Sequence, residues 1–242
     1  MPKKPAATGR TTTARAARSA GARTDDAPTA TKESKSARTR ARILDAAANV
    51  LSRRGFAGTR LSEVAEQAEL QAPAIYYYFP SREDLIEEVM WVGIAEMRAQ
   101  LEERLGELDD GTPPMEKIMV AVESHLRHAL EISDYATASI RNAGQLPDAL
   151  RKRQLAEEVK YGEVWRRLLT DAVREGDLNP ELDLYVAHML VIGALSWAVE
   201  WWSPRRGSVD LIVANAQDFV RAGLRGHDAA AGSTETGAAE AG

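Results

Sequence analysis

The sequence predicts an all-α protein with a three-helix head, a long connecting helix and a larger helical bundle. Three observations carry that expectation. Apolar residues recur three and four positions apart almost throughout, and strand-like alternation is nearly absent. Pro and Gly fall in clusters that cut the periodic stretches into helical lengths, as in Asp-Asp-Gly-Thr-Pro-Pro at 109–114. The 242 residues include no cysteine, which excludes a disulfide scaffold, a thiol nucleophile and any Cys-ligated metal centre.

Taken in order, residues 1–36 hold no aromatic residue and no Ile, Leu or Val, so they predict a disordered basic tail. They contain no apolar run of signal-peptide length. Residues 1–24 do have the Arg-rich, acid-free composition of a transit peptide, but Pro2, Pro5 and Gly9 interrupt any amphipathic helix there. Ile43, Ala47, Val50, Leu51 and Phe56 mark a first helix that stops near Gly55. A short second helix runs from Leu61 to Ala68. A third starts at Ala72–Pro73, turns Ile75 and Phe79 inward and ends at Pro80. Ser81 with Glu83 and Asp84 behind it is an N-cap followed by an acidic first turn, and opens the long fourth helix. Its stripe is Ile86, Met90, Ile94, Met97, Leu101, Leu105 and Leu108. Beyond the break at 109–114, helices are expected at 113–132, 134–143, 148–175, 181–202 and 208–224, followed by a disordered Ala/Gly-rich tail at 226–242. Leu184–Val199 is the most apolar stretch. At 16 residues it falls short of a bilayer span and predicts a buried helix, so no membrane partner is expected. The domains expected are therefore a tail at 1–36, a head at 37–82, a body at 83–225 and a tail at 226–242.

The second and third helices are joined by Glu69-Leu70-Gln71. Two short helices across such a turn match the helix-turn-helix unit, whose second helix enters the DNA major groove. Tyr76, Tyr77 and Tyr78 step about 100° each along that helix, so at least two must face outward. Outward tyrosine hydroxyls suit phosphate oxygens. Pro73 fits an early helix position, and small Ala72 and Ala74 let the backbone approach base edges. Arg38, Arg40, Arg42, Arg60 and Arg82 surround the unit, and Thr59 is placed to cap the second helix.

On these residues the chain resembles the TetR family of bacterial repressors. The family pattern opens Ile-Leu-x-Ala-Ala, continues Phe/Tyr-x-x-Thr-Thr and closes Leu-Tyr-x-His-Phe-x-Ser-Lys-Glu-x-Leu. Here these segments read Ile43-Leu-Asp-Ala-Ala47, Phe56-Ala-Gly-Thr-Arg60 and Ile75-Tyr-Tyr-Tyr-Phe-Pro-Ser-Arg-Glu-Asp-Leu85. The resemblance implies phosphate contacts at Thr59, Arg60, Tyr76, Tyr78 and Arg82, and base-edge reading by Gln71, Ala72, Pro73, Ala74 and Tyr77. Departures from the pattern include Glu69 for a turn glycine, Tyr78 for the common His and Arg60 for Thr or Ser.

The resemblance also implies a C-terminal domain that dimerises and encloses a small-molecule pocket. The apolar surplus of helices 181–202 and 208–224 allows this independently, with Leu195, Trp197, Leu211, Ile212 and Phe219 as interface candidates. Pocket candidates are Met90, Trp91, Met97, His125, His128, Tyr135, Trp165 and Trp201. Trp197–Pro204 resembles a Trp-Tyr-x-Pro segment of acyl-CoA-responsive members, with Glu200 where an arginine is expected. Arg141-Asn142 and Arg151-Lys152-Arg153 read as solvated surface.

No glycine-rich phosphate loop, Gly-x-Ser-x-Gly or Glu-x-x-His pair occurs, and no cofactor is implied. His125, His128 and Glu131 share a helix face but lack a second ligand cluster, so neither a metal site nor catalysis is expected. The net charge of −5 is divided: residues 1–82 carry 15 basic and 7 acidic side chains, and residues 83–242 carry 16 and 29. A basic end on an acidic body is the pattern of a polyanion-binding head attached to something that should not touch DNA. The function expected is a cytoplasmic, homodimeric repressor bound to a pseudo-palindromic operator in double-stranded DNA and released by a small apolar or amphipathic effector. An effector-independent helical DNA-binding or adaptor protein is the alternative.

Overall fold

A computed structural model describes residues 27–225. Residues 1–26 of the tail expected at 1–36, and all of the tail expected at 226–242, lie outside these residues. Among the described residues there are helices and turns but no strand. The helices are α1 (Ala27–Gly58), α2 (Leu61–Gln67), α3 (Ala72–Ile75), α4 (Arg82–Gly106), α5 (Pro114–Arg127), α6 (Asp134–Asn142), α7 (Lys152–Arg174), α8 (Leu184–Trp201) and α9 (Val209–Arg225). Compact packing divides the chain between residues 38 and 39.

Helix α1 corrects one expectation, because residues 27–36 are helical rather than disordered. Once the apolar face beginning at Ile43 nucleates the helix, each added residue costs little, and the Ala, Lys and Glu of this stretch are good helix formers. The regular part ends where expected, at Gly55, whose φ of 70° breaks the helix. Helix α3 is shorter than the sequence suggests. Pro80 bars Phe79 from helical geometry, and Tyr77 and Tyr78 donate to carbonyls three residues back, so the last turn tightens.

Two hydrophobic cores share α4. Leu85, Ile86, Val89 and Met90 in its first half pack with Ile43, Val50, Leu51, Val64, Ile75 and Phe79 of the head. Ile94, Met97 and Leu101 pack with Ile118, Trp165, Leu169 and Val191 of the body. Ser81 caps α4: its hydroxyl oxygen accepts from the Asp84 N–H at 3.0 Å and its O–H donates to the Asp84 carboxylate at 2.7 Å. Helices α4 and α6 cross at Gly93, where a Cβ would lie 2.2 Å from Ser139 Oγ and 2.3 Å from the Tyr135 carbonyl oxygen.

Helix α8 is 18 residues long with a mean hydropathy of 1.4, enough by length and composition to cross a membrane. It lies within the helix expected at 181–202, but only one of its faces is buried, so the expectation of a buried helix is corrected. Asp183 caps its first turn, Ala187, Val191, Leu195, Ala198 and Val199 enter the body core, and the opposite face is exposed.

Candidate nucleic-acid interface and effector cavity

The head presents α3 outward. Ile75 and Phe79 are buried, whereas Tyr76 is 57% and Tyr77 is 82% exposed. Gln71 and Pro73 are exposed, and Ala72 and Ala74 are half-buried. Tyr78 is half-buried against the head core, with Tyr77 meeting it edge-on at 5.1 Å. The outward residues thus form a surface with two tyrosine hydroxyls, an amide side chain and a low backbone ridge. Arg60, at the N-cap of α2, is exposed, and its side chain has no ion-pair or hydrogen-bond partner among the described residues.

Other expected contacts are turned inward. Thr59 does not cap α2; it is buried, and its hydroxyl donates to the Gly55 carbonyl at 2.8 Å. Its carbonyl in turn accepts from Arg82 Nε at 2.8 Å. Arg82 also donates to the Phe56 carbonyl, pairs with Glu83 at 2.8 Å and lies over the Phe56 ring. Thr59 and Arg82 therefore hold the α1–α2 junction against the start of α4, because the broken helix end at Gly55 leaves carbonyls that need donors. Arg40 is likewise paired with Glu88 at 2.6 Å over the Phe79 ring. The turn keeps its shape despite losing glycine: Glu69 adopts φ 56°, and the Leu70 N–H closes the end of α2 on the Ala65 carbonyl at 2.8 Å.

In the body, a cavity of about 300 Å³ lies among α4, α5, α6, α7 and α8. Ile94, Met97, Ile140 and Ile192 supply apolar walls, and His125, Tyr161 and Ser196 a polar end. His125 Nδ1 is 3.0 Å from the Tyr161 hydroxyl, and Nε2 is 3.4 Å from Ser196 Oγ. Burial and, secondarily, the nearby His128 push the His125 pKa down to about 3, so the ring is neutral. The cavity shares Glu158, Gly162, His188 and Met189 with an outer groove between α7 and α8 that also carries Arg166.

Helix α6 links this cavity to the head. Ser139, Ile140 and Ala143 face the cavity, while their neighbours Arg141 and Asn142 grip α1. Arg141 donates to the Ser52 carbonyl at 2.8 Å and to the Val199 carbonyl, and pairs with Glu200 at 3.2 Å. Asn142 Oδ1 accepts from the Phe56 N–H at 2.8 Å. The reading of Arg141-Asn142 as solvated surface is corrected. Asn142 is fully buried, because these side chains satisfy carbonyls and N–H groups at the broken end of α1 and the end of α8. Arg153 likewise lies over Trp91 and pairs with Glu87.

Comparison with known proteins decides the family. Residues 43–89 match the model of bacterial regulatory proteins of the tetR family, and residues 111–224 match the tetracyclin repressor-like C-terminal domain. The chain belongs to the TetR family. It is a DNA-binding transcriptional regulator of the ligand-responsive, homodimeric kind. Among curated TetR-type relatives, the fatty acid metabolism regulator protein of Bacillus subtilis is 23% identical over 70% of this chain and 86% of its own. The transcriptional repressor KstR2 of Mycolicibacterium smegmatis is 24% identical over 67% and 78%. The fold is shared with AibR, solved with isovaleryl coenzyme A and operator DNA (TM-score 0.68, 20% identity, 75% of this chain and 97% of that one). It is also shared with FadR from Bacillus subtilis, solved with stearoyl-CoA (TM-score 0.64, 20% identity, 76% and 98%).

Of the eight pocket candidates read from the sequence of this TetR member, only Met97 and His125 line the cavity. Met90 lies in the head core, Trp165 is wholly buried core, Trp91 lies under Arg153, and Trp201 is surface. His128 and Tyr135 face a different cleft. Tyr161, Ser196 and His188 were missed, although His188 interrupting an apolar helix was a usable signal. Among the interface candidates, Trp197, Leu211 and Phe219 are exposed and Ile212 is half-buried, but Leu195 is corrected to core at 3% exposure. Its side chain falls on the Val191–Ala198 face of α8, which packs inward.

Proposed function

We propose that this chain is a repressor whose head at 37–82 binds a pseudo-palindromic operator and whose body at 83–225 releases it on taking up an apolar or amphipathic effector. The observation that carries this reading is α6, one helix that lines the cavity with Ile140 and Ala143 and holds the head with Arg141 and Asn142. An effector that binds better when α6 is displaced must then weaken the DNA-bound arrangement. Tyr76, Tyr78 and Arg60 meet phosphates, while Gln71 to Ala74 with Tyr77 read base edges. The cavity suits a ligand with an apolar body and a neutral hydrogen-bonding end, since His125 is uncharged. The protein works in the cytoplasm, at its operator when bound, and has no catalytic role.

Fluorescence anisotropy with the DNA upstream of its own coding region, across salt concentration and with competitor DNA, tests the reading. Acyl-CoA thioesters lead the effector series because two neighbours of the fold hold them; a free fatty acid and a long-chain alcohol serve as comparators. Operator-specific binding released by an apolar ligand, with release lost in Ala143→Trp, is the expected result. Sequence-independent binding untouched by every ligand would favour the effector-independent alternative.

A further inference from the structure

Between α1 and the start of α6 lies a second cleft of about 450 Å³, separate from the effector cavity. Three carboxylates line it: Asp45 from α1, Glu96 from α4 and Asp134 at the first turn of α6. Their described hydrogen-bond donors are neutral. Tyr135 donates to Asp45 at 2.7 Å, Ser133 to Glu96 at 2.9 Å, and Asn49 and Ser52 to Asp134 at 2.7 and 3.3 Å. None of the three is paired with a described Lys or Arg, although Arg42 lines the adjoining groove 3.9 Å from Glu69. Glu88, which also acts on Tyr135, is already paired with Arg40. Burial opposes ionisation of Glu96, yet the nearby His128 ring and the Ser133 hydrogen bond hold its carboxyl below the usual range, so it is charged.

A second, independent feature points to a ligand. His128 also lines the cleft, is 6% exposed, and has no hydrogen-bond partner at either ring nitrogen. Its Nε2 stands 3.8 Å from Glu96, beyond hydrogen-bond reach. A buried imidazole left in this way lacks the donor that its lone pair would accept. It sits on a π-helical turn, His128–Ile132, a rare backbone form that is frequent at functional sites. No three described His, Asp or Glu side chains converge closely enough to hold a metal ion. Separated carboxylates around an apolar wall of Ile132 and the Tyr135 ring instead fit separated positive charges on a carbon chain.

We infer that this cleft binds an organic di- or polyamine, whose ammonium groups meet Asp45, Glu96 and Asp134 and donate to His128. Because Asp45 belongs to the head core helix and Glu96 and His128 to the body, the bound amine ties α1 to α4 and α6. It is a second input to the same regulator and does not depend on the effector cavity.

Isothermal titration of the full chain with spermidine, and separately with putrescine, tests this without DNA, which itself attracts polycations. Saturable binding of one spermidine per chain is expected, weakened about tenfold or more by Glu96→Gln, by Asp45→Asn and by His128→Leu. Asp110→Asn, which removes an exposed acid elsewhere, should leave it unchanged. Thermal melts identify any variant that fails to fold, and Asp45→Asn, which keeps an acceptor for Tyr135, is the variant least exposed to that failure. Non-saturable binding, equal weakening by Asp110→Asn, or equally tight uptake of magnesium would each overturn the proposal.

Discussion

Arg60 and Arg82 carry the same charge on the same head, yet their surroundings assign them different work. Arg60 is exposed and unpartnered among the described residues, so Arg60→Ala should weaken binding to every DNA sequence alike and lower the salt slope by about one. Arg82 spends its donors on the Thr59 and Phe56 carbonyls and on Glu83, so Arg82→Ala should lower folding stability by about 2 kcal/mol. Urea titration beside DNA binding separates the two. Glu69 gives a second residue-scale expectation: it holds φ 56°, a left-handed conformation costing about 1–2 kcal/mol outside glycine, and its exposed 3.9 Å approach to Arg42 recovers little. Glu69→Gly should raise the urea midpoint by the equivalent of about 1 kcal/mol at unchanged slope, allowing for glycine's freer unfolded chain. His125 supplies the pH expectation. Unfolded, it takes a proton near its ordinary value of 6.5; folded, burial delays this to about 3. The unfolded chain thus binds more protons in this window, so stability is complete above pH 6.5 and falls as pH drops towards 3. His188 is lowered too, by burial and then by Arg166, and adds in the same direction. His125→Gln should flatten the pH dependence of stability between 6.5 and 5, above the range where the carboxylates titrate.

At the scale of elements, the α4–α6 crossing governs how the cavity and the head are joined. Gly93 lets α6 approach so closely that Ser139 Oγ donates to the Met90 carbonyl at 2.8 Å. A methyl group there meets the Tyr135 backbone as well as Ser139 Oγ, and the backbone cannot swing aside. Gly93→Ala should therefore cost about 3 kcal/mol or more and, in folded protein, weaken the coupling of effector to DNA. A melting curve and an effector titration read both effects. The contrast with Gly55, legible in the sequence as a helix stop, shows what pattern reading reaches. Periodicity, the Ser81 cap and the Pro80 break are local, so the helices α4 to α9 begin and end close to where expected. The direction taken by a long polar side chain is not local. The motif gives Thr59 and Arg82 their register, but only tertiary packing turns them towards Gly55, Phe56 and each other. The cavity fared likewise, since Tyr161 and Ser196 reach His125 from α7 and α8, far away in sequence. Gly93 and His188 did leave traces, since a glycine inside a long helix has to be offset by some packing gain and a histidine inside an apolar one stands out.

For the whole molecule, the outward faces of α8 and α9 decide the assembly. Trp197 is 65% and Phe219 is 75% exposed, with Tyr185, Leu190 and Leu211 also uncovered. Exposed apolar surface on this scale marks an association site, and homodimers are the family's working form. A symmetric pair of such helices would bury each protomer's patch on its own copy and set the separation of the two heads. Trp197→Glu combined with Phe219→Glu should yield a folded monomer in sedimentation, because neither side chain supports the core of its own chain. Operator affinity should then fall by about a hundredfold or more, since the second half-site is no longer bound intramolecularly. Leu195→Ala is the discriminating control. That residue is buried in the body core, so its truncation should cost about 2–5 kcal/mol of stability while leaving the surviving folded protein dimeric. If Leu195→Ala dissociated the dimer and the double variant did not, α8 would meet its partner through the opposite face, and the two heads would have to be spaced by another surface.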